Sequence, residues 1–393
     1  MKYYIIAGEA SGDLHGANLM RGLYAEDREA DIRFFGGGMM DSVFKEHQEG
    51  TGLVEDYREG AIMGFSEVLL KAGKLLGKVR RCKEDILGWN PDIVILIDYP
   101  GFNFKIAEFA HRKGFKVFYY IAPKVWASRE GRIRKLKACV DRLFIVFPFE
   151  KEYFKRKGVD FVYKGNPLVD AIDNSPALKE SRTDFLSRTG LPERPVIALL
   201  AGSRTGEIRS MMPPLMDFAD RMHSDPAYSD YIFVVAAAPS RTMDDYKEFV
   251  EGREEYVKVL FNETYAALHH AQSAVINSGT ASLEAALIGT PQVVAYRMSS
   301  ITYSLMKGLI KVKFISLANL IIGRSAFKEL LQFYVRGENL ADETRRILED
   351  KAYREKMLSD YCEIRSLLGG RGASAAVAKS MVESYREMTE RSV

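Results

Sequence analysis

Short, almost wholly apolar runs recur along this chain and alternate with stretches of helical periodicity: YYIIAG, DIRFFGGG, PDIVILID, KVFYYIAP, RLFIVFPF and DFVYKGN in the first half. A strand covered on one face alternates apolar and polar residues. These runs are apolar on both faces, so they read as parallel strands sandwiched between helices. The rhythm stops at 171–195, a polar stretch with Pro176, Pro192 and Pro195, and resumes as VIALLAGS, YIFVVAAAP, VKVLF, SAVINSG and QVVAY. Two doubly wound, Rossmann-like α/β domains are therefore expected, residues 1–172 and 173–366, with ligands at the C-terminal ends of the strands in an interdomain cleft. At 393 residues, 47% of them hydrophobic, the chain has apolar surface enough for two cores. Its last part, 367–393, reads as a terminal helix after a glycine break, either capping the second domain or packing back on the first.

Charge and cysteine usage narrow the function classes. Lys and Arg number 56 against 53 Asp and Glu, a net charge of +3, which argues against the strong basic field of a dedicated nucleic-acid binder. Cys82, Cys139 and Cys362 are widely separated and form no CxxC, so neither a disulfide framework nor a zinc site is expected. The adjacent His269 and His270 cannot share a helical face, and neither HExxH nor GxSxG occurs. Metal and serine-hydrolase chemistry are disfavoured, and no cofactor is expected. No apolar run reaches the length of a membrane span, and the expected location is cytoplasmic.

The first strand runs into a glycine-rich turn, with Gly8, Gly12 and Gly16 leading into a helix and Ser11 and Asp13 able to bond backbone N–H groups. The spacing is not that of the dinucleotide fingerprint, and Glu9 and Asp13 would repel a pyrophosphate. A sugar-like ligand suits these carboxylates better; a tight turn without a ligand is the alternative. Asp98 ends PDIVILID, where a desolvated carboxylate with a raised pKa can take a proton from a hydroxyl. It is equally readable as a turn-former before Pro100.

In the second half, Gly202, Ser203 and Arg204 follow a strand directly. The turn could offer backbone N–H groups and Arg204 a charged fork to a diphosphate, or it is an ordinary βα turn. Ser278, Gly279 and Thr280 open a helix, as phosphate-binding residues do, and Glu284 one turn inside could hold ribose hydroxyls. Residues 61–81 form an amphipathic helix. Phe65 and Leu69 lie on its apolar face and Lys71, Lys74 and Lys78 on the other, fitting either a membrane-surface helix or a core helix with a solvated basic face. The segment 303–322, with Lys307, Lys311 and Lys313, is a second candidate for lipid contact.

Taken in order, AGEASGDLHGA (7–17), ILIDYPGFN (95–103), APKVWASREGRI (122–133), LLAGSR (199–204), SGTASLEAAL (278–287) and SLANLIIGRSAFKELLQ (316–332) resemble the lipid A disaccharide synthase family. The resemblance implies a GT-B glycosyltransferase that joins UDP-2,3-diacylglucosamine to 2,3-diacylglucosamine 1-phosphate, lipid X, with inversion and release of UDP. It implies Asp98 as general base, Glu9 as a residue important for activity, and Arg204, Glu284 and Asn319 on the UDP side with Gln332 near them. Gly8, Ser11, Gly12 and Asp13 then fall to the acceptor. Ala201 and Ala318 stand where the family usually has Pro. Acylated substrates imply a peripheral enzyme on the anionic inner face of the inner membrane, with a homo-oligomer possible and no nucleic-acid partner. The alternatives are another UDP-sugar enzyme of this architecture, an epimerase or a transferase with a soluble acceptor, or a nucleotide-sugar-binding regulator.

Overall fold

The computed structural model describes residues 1–58, 68–127, 129–239, 241–277, 279–297 and 313–390, with the side chains of 68–72 and 74 outside that description. The chain forms two compact units, Met1–Ala171 joined by the chain from Leu368 onward, and Ile172–Leu367.

The first unit runs β1 (Lys2–Ala7), α1 (Ala10–Glu26), β2 (Asp31–Gly36), α2 (Gly38–His47), β3 (Leu53–Asp56), α3 (Val68–Trp89), β4 (Ile93–Ile97), α4 (Pro100–Arg112), β5 (Lys116–Tyr120), α5 (Ile133–Cys139), β6 (Arg142–Ile145), α6 (Pro148–Arg156), β7 (Val162–Tyr163) and α7 (Pro167–Asp173), the last reaching the boundary. The second runs α8 (Arg182–Thr189), β8 (Val196–Leu200), α9 (Thr205–His223), β9 (Ile232–Ala237), α10 (Lys247–Val250), β10 (Val257–Phe261), α11 (Thr264–His270), β11 (Ala271–Asn277), α12 (Ala281–Ile288), β12 (Gln292–Tyr296), α13 (Leu317–Ile322), β13 (Glu329–Leu331), α14 (Gly337–Glu349) and α15 (Lys351–Leu368). The terminal helix α16 (Ala373–Glu390) belongs to the first unit. It lies so close to α1 that a Cβ on Gly22 would sit 2.7 Å from Cβ of Ala378.

Each unit holds one parallel sheet, ordered β3-β2-β1-β4-β5-β6-β7 in the first and β10-β9-β8-β11-β12-β13 in the second. The expected doubly wound α/β class is the observed one. The uniformly apolar runs have a direct cause. Along β8, Ile197 and Leu199 enter the apolar layer on one face of the sheet, while Val196, Ala198 and Leu200 enter the layer on the other. Both faces must exclude water, and each fully buried Val, Leu or Ile contributes about 1.5–3 kcal/mol.

The order of the strands also decides where ligands can sit. After β3 the chain returns to lay β4 beside β1, and after β10 it returns to lay β11 beside β8. At such reversals the loops leaving neighbouring strands splay to opposite faces and open a crevice at their C-terminal ends. The loops at these two places are residues 8–9 with 98–99, and 201–204 with 279–280.

The amphipathic helix expected over 61–81 appears, in its described part, as α3, and it continues to Trp89. Val79, Cys82 and Ile86 turn into the core, whereas Leu76 is 57% exposed. Lys78 is a correction. It is not on a solvated basic face but turns to the buried Glu55, its Nζ 2.8 Å from the carboxylate. Phe65 and the side chains of Leu69, Lys71 and Lys74 lie outside the described residues, as do Lys307 and Lys311 of the second candidate segment.

Candidate active site

At the first reversal Ala7 pairs with Ile97, so Gly8 and Asp98 leave adjacent strands side by side. The closeness demands glycine: a Cβ on Gly8 would lie 2.3 Å from the Tyr99 ring. Asp98 and Tyr99 both adopt left-handed backbone conformations, with φ of 42° and 44°, and β-branched Ile121 on the next loop has φ 60°. Such conformations cost on the order of 1–3 kcal/mol each and persist only where surrounding contacts impose them. Here the contacts are explicit. The Asp98 carbonyl accepts from Tyr119 Oη at 2.6 Å and from Asn103 Nδ2 at 2.8 Å, and its N–H donates to the Tyr120 carbonyl at 3.1 Å. Three main-chain bonds thus fix where the carboxyl stands, without using the carboxyl itself.

Burial pushes the Asp98 carboxyl above the usual carboxylate range, the Glu9 carboxylate adds to the rise, and the Lys124 ammonium opposes it. A half-desolvated carboxylate with a raised pKa, facing one cation and one anion, is suited to accept a proton from a hydroxyl. Lys124 was not singled out from the sequence. Its loop is anchored by Trp126, whose Nε1 donates to Glu150 at 3.0 Å and whose ring meets Phe149 edge-on at 4.9 Å. Glu150 is fully buried, accepts also from the N–H groups of Val146 and Phe147, and is pushed up to about 7 by that burial.

The remaining residues of the glycine-rich turn divide. Glu9 is the exposed N-cap of α1 and Ser11 is exposed beside it. Asp13 is a correction. Its carboxylate is 3% exposed and accepts from the N–H groups of Gly37 (2.9 Å), Met39 (3.1 Å) and Met40 (3.1 Å). Those are the orphan donors at the start of α2, so Asp13 caps a neighbouring helix and is not available to a sugar. Gly12 is likewise buried, against Ala7, and serves the packing of α1 on β1.

At the second reversal Leu200 pairs with Ile276, bringing the 201–204 turn beside the end of β11. Gly202 has φ 105°, and a Cβ there would meet Asn277 Nδ2 at 2.5 Å, so both conformation and space require glycine. The turn itself is a correction. The N–H groups of Ser203 and Arg204, expected to face a diphosphate, donate to the carboxylate of Glu207 at 3.0 and 3.2 Å, closing the first turn of α9. The Arg204 guanidinium pairs with the same carboxylate at 3.3 Å and remains 78% exposed. Arg241, from the loop after β9, braces the turn by donating to the Ser203 carbonyl and to Thr205 Oγ1, each at 2.8 Å. Glu207 was legible in principle as the third residue after the cap; Arg241 had no local signal.

Gly279 and Thr280 are exposed at the start of α12, and Ser278 lies outside the described residues. Glu284, one turn on, accepts from Tyr265 Oη at 3.1 Å, and burial raises its carboxyl. Asn319 is a further correction. It is wholly buried, its Nδ2 donating to the Phe327 carbonyl and to Glu329, its Oδ1 accepting from the Ala326 N–H at 2.8 Å. Every polar atom of its side chain is spent on tying α13 to β13. Gln332 follows β13 with φ 52°, at the same C-terminal edge of the sheet. Among the described residues no group of three or more His, Cys, Asp or Glu is arranged to hold a metal ion.

Comparison with known proteins bears on what such a pair of crevices is for. The family model described as Lipid-A-disaccharide synthetase matches residues 3–380. The lipid-A-disaccharide synthases of Myxococcus xanthus and Geobacter metallireducens are each 37% identical to this chain, over 381 and 382 residues, with 96% of either partner covered. The chain belongs to the lipid-A-disaccharide synthase family. It is accordingly a glycosyltransferase of lipid A biosynthesis, and the epimerase and regulator alternatives fall away. Among solved structures, UDP-GlcNAc 2-epimerase from Neisseria meningitidis, bound to UDP-GlcNAc, aligns with TM-score 0.68 at 15% identity, covering 98% of this chain and all of that one. Sucrose-phosphate synthase from Thermosynechococcus elongatus aligns with TM-score 0.57 at 15% identity over the whole of both chains. At that identity they speak for the fold alone, the GT-B architecture of two parallel-sheet α/β domains that this member of the family shares.

Proposed function

We propose that this synthase-family chain transfers 2,3-diacylglucosamine from UDP to the 6-hydroxyl of lipid X, giving the β-1,6-linked tetraacyl disaccharide 1-phosphate and UDP. The observation that carries the reading is Asp98, a desolvated carboxylate on a strained turn at the first strand-order reversal, with its pKa raised. In this reading the first unit binds the acceptor, with Glu9 and Ser11 beside the base, and the second binds the UDP moiety.

The chemistry follows from the groups named. As the acceptor oxygen forms its bond to the anomeric carbon, its proton passes to the Asp98 carboxylate. The bond from that carbon to the diphosphate breaks with its electron pair leaving on UDP, so configuration inverts and one base suffices. The Arg204 guanidinium and the N-terminal end of α12 at Gly279 and Thr280 supply positive potential to the departing diphosphate, and Glu284 accepts from ribose hydroxyls. Gln332 stands near the same ligand. To use Arg204 in this way the diphosphate must compete with Glu207 for it.

No helix among the described residues is long and apolar enough to cross a membrane. The acylated substrates reside in a bilayer, and the exposed Leu76 on α3 supports peripheral attachment to the anionic cytoplasmic face of the inner membrane. The test of substrate class is competition between UDP-2,3-diacylglucosamine and unacylated UDP-glucosamine. The reading expects a strong preference for the acylated donor, and equal turnover of the two would overturn it.

A further inference from the structure

In the second unit a single side-chain bond joins the first turns of α11 and α12, two segments that no local sequence pattern relates. The chain leaves β10 through Asn262, whose φ of 61° turns it, and enters α11 at Thr264. Glu263, the N-cap of α11, is held by the Arg188 guanidinium at 2.5 and 2.9 Å, while Ala266, Ala267 and Leu268 are buried in the apolar layer under the sheet. Tyr265 is thereby fixed on the first turn. The start of α12 is fixed as firmly, with Ser282 Oγ donating to the Gly279 carbonyl and Gln292 Nε2 to the Ser282 carbonyl, each at 2.9 Å.

Between these anchored turns Tyr265 Oη donates to Glu284 Oε1 at 3.1 Å. Burial and the neighbouring carboxylate push the Tyr265 phenol up, so the hydroxyl keeps its proton and stays a donor. A carboxylate accepts at both oxygens. Tyr265 uses one oxygen of Glu284, and the other has no donor among the described residues. A glutamate left to itself has rotamer freedom that a ligand must remove on binding. The Tyr265 bond removes it beforehand and opposes the rise that burial imposes on the Glu284 carboxyl. We infer that Tyr265 is a positioning residue that aims the second oxygen of Glu284 at the nucleotide ribose, and so makes the second unit prefer a ribonucleotide to its deoxy counterpart. The inference rests on the reading of Glu284 as the ribose contact given above, and Tyr265 acts through that carboxylate rather than on the ligand.

The experiment titrates UDP and 2′,3′-dideoxy-UDP calorimetrically into the full-length wild type, Tyr265→Phe, Glu284→Ala and the double variant. The wild type should bind UDP roughly tenfold or more tightly than the dideoxy nucleotide, the scale of a hydrogen bond to a charged group. Tyr265→Phe should lower UDP affinity about tenfold and leave dideoxy-UDP affinity unmoved. In the Glu284→Ala background it should have no further effect. In steady-state turnover Tyr265→Phe should raise KM for the UDP-sugar donor without lowering kcat. Equal weakening of both nucleotides, or no weakening of UDP, overturns the inference, because a phenol that only supports the packing of α11 cannot tell ribose from dideoxyribose. If Glu284→Ala abolishes the ribose preference and Tyr265→Phe does not, Glu284 keeps its place on the ribose and the inference alone fails. A ribose preference that survives Glu284→Ala, or a wild type that binds no UDP, rejects both. Thermal unfolding checks that each variant folds, and Glu284→Gln replaces Glu284→Ala if the alanine protein does not.

Discussion

Replacing Asp98 by Asn should separate catalysis from stability in this fold. Three of the hydrogen bonds at the turn use main-chain atoms of residue 98, the Tyr99 N–H that the carboxyl accepts can be accepted by an amide oxygen as well, and Asn is, with Asp, among the few non-glycine residues that tolerate the left-handed φ of 42° found there. The amide matches the carboxylate in shape but cannot take a proton. Removing a general base costs about a hundredfold to ten-thousandfold in turnover. Stability should move the other way. Burial raises the Asp98 pKa, so the folded protein binds the proton more tightly than the unfolded chain, and the ionised carboxylate weighs against folding above the raised pKa. That penalty fades as pH falls toward the ordinary carboxylate range. Asp98→Asn should therefore unfold at the same or a higher denaturant concentration than the wild type near pH 8, with any difference vanishing in acid. Steady-state kinetics with the two diacyl substrates, paired with urea unfolding at two pH values, reads both quantities. Near-normal turnover removes Asp98 from the mechanism. Lost activity that merely tracks a lost fold refutes the claim that the side chain is dispensable to the turn.

Lys124→Met should move the acid limb of kcat/KM to higher pH, because the lost ammonium no longer holds the Asp98 carboxyl down; an unmoved limb means that this charge does not reach the base. Asp13→Ala leaves three N–H groups at the start of α2 without their acceptor. Urea unfolding should show a loss of about 1–3 kcal/mol, with no selective rise in KM for the acceptor. Leu76→Ser should weaken binding to anionic vesicles roughly tenfold while leaving turnover of detergent-dispersed substrate unchanged, and unchanged vesicle binding would return α3 to a purely structural role.

The two-sheet fold was readable because burial on both faces writes itself into every strand as a continuous apolar run, as in IVILI of β4 and VIALL of β8. The turns at the two strand-order reversals were readable for a related reason, since the glycines at 8 and 202 mark where backbone and neighbouring loop come within contact distance. Side-chain partners were harder. Asp13 and Asn319 have the residue types of ligand contacts, yet each is consumed by donors or acceptors from segments distant in the sequence, Gly37 to Met40 in one case and Ala326 to Glu329 in the other. No local pattern reveals where an amide or carboxylate will find its partner. The same holds for Lys78, whose helical phase placed it on a polar face but whose ion pair with Glu55 depends on the packing of α3 against β3. Lys124 and Arg241 escaped notice because their roles arise only when neighbouring strand ends are brought together.

The proposed transfer is put to the test by incubating the purified protein with UDP-2,3-diacylglucosamine and lipid X and determining the products by mass and by the configuration of the new linkage. A β-linked tetraacyl disaccharide 1-phosphate should form in step with UDP. Release of UDP without disaccharide, or an α-linked product, would contradict it.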